Sequence, residues 1–150
     1  MKNHFFVHTA LQLTIAQYIV NRDCNQDTNI IHFGNTGSNI SGLNKTLTEI
    51  CDPRLWHEIR WIGDLNGYIP NFRHFECWLN VKSFLSSFEN IPHSSFFFGD
   101  IGHVGYLNFA LYFERNGGSI NFFEEGLSHY SGELLEKRKG NALLLRLKRW

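Results

Sequence analysis

Glu124 and Glu125 stand side by side after the apolar run SINFF and directly before Gly126. Like charges repel, and a plain surface turn would not need both. A carboxylate at a strand end can act as a general base, accepting a proton from a hydroxyl as that oxygen attacks an electrophile. Neighbouring side chains on an extended backbone point to opposite sides, so only one of the pair can aim at a given substrate atom. The other is then structural, or raises its neighbour's pKa by repulsion. Gly126 would let the backbone turn sharply and keep such a site open. The same three residues also suit a solvated strand end, and the pattern alone does not choose between the two.

The elements that must position these residues are readable along the chain. Apolar runs at 3–8, 28–33, 57–62, 94–100 and 119–123 predict five strands. Between them lie helical patterns at 10–21, 38–51, 73–89 and 104–118, and a basic, Leu-rich pattern follows at 132–149. Leu11, Ile15, Tyr18 and Ile19 give the first helix its apolar spacing, with Thr9 as its N-cap. The second helix stops before Pro53, and Gly117-Gly118 stops the fourth. Strand–helix alternation of this kind predicts an α/β domain: a Rossmann-like parallel sheet of about five strands with helices on both faces. The near-continuous apolar strands fit a sheet covered on both sides.

Open α/β sheets gather ligands at the carboxyl ends of their strands. That edge is predicted to hold His8-Thr9, the loop Gly34-Asn35-Thr36-Gly37-Ser38-Asn39, Gly63-Asp64, Gly99-Asp100 and Glu124-Glu125-Gly126. Thr9, Gly34, Asn35, Thr36, Asp100 and Gly126 are candidate substrate-binding residues beside the two glutamates. Each of the loop residues also suits an ordinary turn.

Composition narrows the alternatives. With 150 residues the chain reads as one domain, long enough to bury a core. Hydrophobic residues make up 43% and charged residues 19%, which argues against disorder. A formal net charge of zero argues against nucleic-acid binding by bulk electrostatics. No apolar run is long enough for a transmembrane helix, and the N-terminus lacks the layout of a signal peptide. Cys24, Cys51 and Cys77 are far apart and form no CxxC, so neither a disulfide framework nor a zinc site is indicated. The chain is therefore expected in the cytoplasm. GNTGSN is not a dinucleotide fingerprint, and neither a P-loop nor a GxSxG elbow occurs. A phosphorylation-receiver domain is rejected: His8 follows the first strand, and no Lys follows the fifth. None of the histidines makes an HxxxH pair on a predicted helix, so each reads as structural rather than as a metal ligand. Tyr106, Phe109 and Tyr112 read as core.

Two places together carry a family resemblance. The N-terminus, MKNHFFVHTALQLTIAQYIV, resembles the start of bacterial lipooligosaccharide sialyltransferases (glycosyltransferase family 52) and related capsule polysialyltransferases. Those open with a strand followed by Thr-Pro-Leu-Gln or similar; here it is Thr9-Ala10-Leu11-Gln12, with Ala in place of Pro. Glu124-Glu125-Gly126, trailed by Leu127, Ser128, His129 and Tyr130, is similar to their acidic-acidic-Gly motif. The resemblance covers the whole chain, as one half of the family's GT-B architecture. It implies an acceptor-side N-terminal domain that supplies the base, with the C-terminal nucleotide-sugar domain absent. It also implies metal-independent, inverting transfer of sialic acid from CMP-sialic acid to a galactose-terminated lipooligosaccharide or capsule glycan, with no cofactor. One of Glu124 and Glu125 would be the base, Glu124 being slightly favoured. The donor domain's His-Pro motif has no match; Pro92-His93 runs in the reverse order and precedes the acidic motif, so that role is not transferred. Little activity is expected of this half alone. The basic 141–150 stretch reads as the last helix closing the sheet, with a surface anchor at an anionic inner membrane as the other reading. Two further functions stay open: a non-catalytic α/β binding or interaction module, and a transferase using another activated sugar.

Overall fold

The computed structural model describes residues 1–35, 40–64, 83–99 and 104–123. The chain runs β1 (Lys2–Val7), α1 (Ala10–Asp23), β2 (Thr28–Asn35), α2 (Ile40–Ile50), β3 (Glu58–Asp64), β4 (Ser94–Phe98), α3 (Val104–Arg115) and β5 (Ser119–Phe122). Short 3-10 turns at Pro53–Leu55 and Ile91–His93 lead into β3 and β4. Residues 83–86 form a helical turn, the described part of the helix expected at 73–89. The remainder of that helix, and the one expected at 132–149, lie outside the described residues.

The strands pair in parallel throughout, in the order β3-β2-β1-β4-β5. This is the α/β, Rossmann-like sheet that the strand–helix alternation predicts. From β1 the chain winds outward to β2 and β3, then returns to the other side of β1 for β4 and β5. Parallel crossovers are right-handed, so a change in winding direction puts the helices of the two halves on opposite faces. The packing follows that rule. Phe5 and Val7 of β1 join Ile31, Phe33, Leu47 and Trp56 with Leu13, Ala16 and Val20 of α1. Phe6 faces the other way, into Phe96, Phe98, Leu85, Phe88 and the α3 residues Tyr106, Phe109 and Phe113. Alternation along one doubly covered strand thus feeds two separate cores.

Local signals at the helix ends act as expected. Thr9 sits in extended conformation at the N-cap of α1, and its hydroxyl oxygen accepts from the Gln12 amide at 3.2 Å. At the end of α3, Gly117 takes φ of 84°. Its amide donates to Glu114 O at 3.0 Å and that of Gly118 to Phe113 O at 2.9 Å, a Schellman cap that needs the left-handed residue.

The buried face of α1 differs from the expected one. Leu11 and Tyr18 are exposed, and the helix instead buries Gln12, Leu13, Ala16 and Val20. Apolar residues occur all around this helix, so periodicity does not single out a face. The strand ends do, because Gln12 has a specific place there.

Candidate functional site

The winding direction reverses between β1 and β4, which makes the crevice beyond their carboxyl ends the default ligand position in such a sheet. The structure brings several of the predicted residues to that edge. His8 and Thr9 follow β1. Gly34 and Asn35 close β2, paired with Gly63 and Asp64 of β3 after a register shift between Phe33 and Gly34. Gly99 follows β4, its amide donating to Phe6 O at 3.3 Å. Beyond β5, the Phe123 amide donates to Phe98 O at 3.0 Å. β5 therefore delivers the chain to the same edge at the residue before Glu124. Thr36, Asp100, Glu124, Glu125 and Gly126 lie outside the described residues.

Gln12 forms the floor of the crevice. Its side chain is fully buried in the first turn of α1, and its Oε1 accepts from the His8 amide at 2.8 Å. It passes so close to the end of β4 that a Cβ on Gly99 would lie 2.5 Å from Gln12 Cδ. Gly99 is a glycine because the amide must pass. Gly99→Ala is expected to push Gln12 aside and break its bond to His8, destabilising the fold by about 1–3 kcal/mol. A urea melt checks this, and a combined Gly99→Ala/Gln12→Ala variant should recover part of the loss.

An aromatic contact packs against Gln12's neighbour His8. The buried His8 ring lies 5.3 Å from the Tyr106 ring, tilted by 50°. α1 begins at this edge, so the positive end of its dipole faces the crevice. At this edge Thr9 is half-buried, while His8, Gln12 and Tyr106 are buried beneath it and fix its position.

The amino edge of the sheet is built differently. The N-terminal ammonium meets Asp27 Oδ1 at 2.7 Å, and Asn3 donates to Asp27 Oδ2 at 3.1 Å and to Asn29 Oδ1 at 2.9 Å. Asn29 in turn donates to Cys24 O at 2.8 Å. The ammonium, and then Asn3, hold the Asp27 carboxyl below its ordinary range. Apart from Asn3 Oδ1, which has no hydrogen-bond partner among the described residues, these groups bond to one another as a structural polar network does. Burial pushes the Cys24 and Cys51 thiols up, so neither is an activated nucleophile.

An open cavity of ≈ 370 Å³ lies elsewhere, lined by Glu58, Arg60, Trp61, Ile62, Phe84 and Ser87. It sits beside β3, two strands from the reversal. Its two charged groups are spent on each other: Arg60 grips Glu58 through bonds of 2.6 and 2.7 Å. Topology and polar chemistry favour the carboxyl edge over this cavity.

Sequence reasoning did not reveal Gln12 as the floor, nor the buried contact between His4 and His32, whose rings meet at 3.0 Å on adjacent strands. Among the described residues, no three His, Cys, Asp or Glu cluster as a metal site would require, and no helix is long and apolar enough to cross a membrane. No family model, curated protein or solved structure matches the chain.

Proposed function

We propose that this chain is the acceptor-side domain of a sialyltransferase-like glycosyltransferase, holding a galactose-terminated glycan at the carboxyl edge of its sheet. The observation that carries the reading is the Phe123–Phe98 bond, which brings the chain to that edge one residue before Glu124. β5 stands two strand spacings from β1, roughly 10 Å, a width that a sugar ring or two can occupy.

In this reading one of Glu124 and Glu125 accepts the proton of an acceptor hydroxyl. The freed oxygen lone pair attacks the anomeric carbon of the activated sialic acid. The bond to the phosphate oxygen of CMP breaks, and CMP leaves with the electron pair. Attack on the face opposite the leaving group inverts the anomeric centre. A positioned base supplies roughly 10²–10⁴-fold of rate. The rest must come from orientation of the two substrates and from groups that stabilise charge on the departing phosphate. Those groups belong to a donor-binding domain, so the reaction needs one. No cofactor or metal enters this scheme.

The test mixes the chain with CMP-sialic acid, a galactose-terminated acceptor and a separately supplied donor-binding half from a family 52 sialyltransferase. Sialylated product that requires this chain supports the reading. Turnover only with another activated sugar reassigns the donor. Binding of glycan with no turnover under any donor makes the domain a binding module instead.

A further inference from the structure

His4 of β1 and His32 of β2 lie on the face covered by α3 and the 83–88 segment. His4 Nδ1 is 3.0 Å from His32 Nε2, and the two residues are 2% and 0% exposed. Two nitrogens facing each other at this distance share one proton, so one ring donates and the other accepts. Their surroundings are aromatic. Phe6 stacks on His32 at 4.5 Å and Phe96 on His4 at 5.1 Å. Phe88 meets His4 edge-on at 5.0 Å and His32 at 5.4 Å, and Phe84 stands edge-on to His32 at 6.1 Å. Nδ1 of His32 has no hydrogen-bond partner among the described residues.

Among the described residues, the charged groups facing the pair do not favour a cation there. Lys2 on β1 and Arg60 on β3 are both positive, and the Glu58 carboxylate is tied to Arg60. β4 contributes Ser94, Phe96 and Phe98 to this face and no charge. On α3 the charged residues Glu114 and Arg115 are exposed, and Glu89 after the 83–88 segment is exposed as well.

We propose that the His4–His32 pair is an acid-triggered latch: protonation of both rings drives them apart and lifts Phe84 and Phe88 off the sheet, widening the cavity lined by Arg60, Trp61, Ile62, Phe84 and Ser87. The first added proton can remain within the nitrogen–nitrogen contact, at the cost of a buried charge. The second sets N–H against N–H, and the contact cannot persist. The 83–88 segment is the element that yields. Among the described residues its ties include the turn bonds Ser87 N to Phe84 O at 3.1 Å and Phe88 N to Leu85 O at 3.3 Å, and it joins no strand ladder, whereas β1 is laddered on both sides. Local opening draws first on elements outside the central ladder.

Burial, followed by Lys2 and Arg60, lowers the His4 pKa to about 3, and burial followed by His4 lowers that of His32 well below its ordinary value. A ring held neutral when closed and free to titrate near 6.5 when open favours the closed state fully above 6.5. That preference is lost as pH falls below 6.5, by about 30-fold per ring at pH 5.

The experiment measures amide exchange in the full chain between pH 7.5 and 4.5, expressed as protection factors, together with imidazole 15N shifts. The latch predicts that protection at Ser87 and Phe88 falls at least about 30-fold by pH 5, while β1 and β2 amides hold and both rings stay neutral in the protected state. A His4→Phe/His32→Phe variant, which keeps aromatic volume, should lose the pH dependence. Constant protection at 87 and 88 overturns the proposal, as does strand exchange rising in step with them, which would mean whole-sheet unfolding. Rings that titrate near 6.5 while protection persists also overturn it. That last readout needs only the unmodified chain, so it decides the matter even where the variant does not fold.

Discussion

One of the two substitutions Glu124→Gln and Glu125→Gln, and not both, is expected to lower kcat of the proposed sialyl transfer roughly 10²–10⁴-fold in the complemented assay. Gln keeps the size and hydrogen-bonding reach of Glu but cannot take up a proton. An effect confined to kcat, with KM for acceptor little changed, is what loss of an interaction made only in the transition state produces. Adjacent residues on an extended strand project to opposite sides, so a single base implies unequal responses. The second glutamate acts at most by repulsion on the first, and its loss should shift the acid limb of the pH–rate profile downward rather than abolish turnover. Equal, small effects from both variants would remove the general base from the account.

Phe6→Ala is expected to cost about 3–5 kcal/mol, a large share of the roughly 5–15 kcal/mol that holds an ordinary domain together. Phe6 is fully buried on the central strand of the sheet. Its ring stacks on His32 at 4.5 Å and on Phe98 at 4.7 Å, and lies 5.9 Å from both Phe109 and Phe113. These partners come from β2, β4 and α3, which are fixed by their own ladders and helix and cannot collapse into the vacated space together. The urea midpoint should fall steeply with little change in slope. A loss below about 1 kcal/mol would mean that the aromatic layer is not packed as described.

The order of the five strands and of the helices α1, α2 and α3 was legible because each strand is an apolar run and α1 and α3 carry local end signals. Thr9 and Gly117-Gly118 act through bonds within a few residues of themselves, so their roles could be read without a fold. The buried side of α1 could not. Leu11, Ile15 and Tyr18 are as apolar as Leu13, Ala16 and Val20, and the choice falls to a tertiary requirement: Gln12 must fit between His8 and Gly99. The histidine pair was hidden for a related reason. His4 and His32 are 28 residues apart, and only the parallel register of β1 and β2 brings them onto one face. Of the candidate site, Thr9, Gly34 and Asn35 reach the expected edge because strand ends follow from strand extents. Glu124, Glu125 and Gly126 lie outside the described residues.

A glycan acceptor held at the carboxyl edge of the β1/β4 reversal would perturb the amides there, which chemical-shift mapping reads during titration with a galactose-terminated oligosaccharide. Saturable shifts are expected at His8, Thr9, Gly34, Asn35 and Gly99, with Asn3, Asp27 and Asn29 at the opposite edge unmoved. Shifts confined to the amino edge or to the Arg60 cavity, or none at millimolar sugar, would contradict that placement of the acceptor.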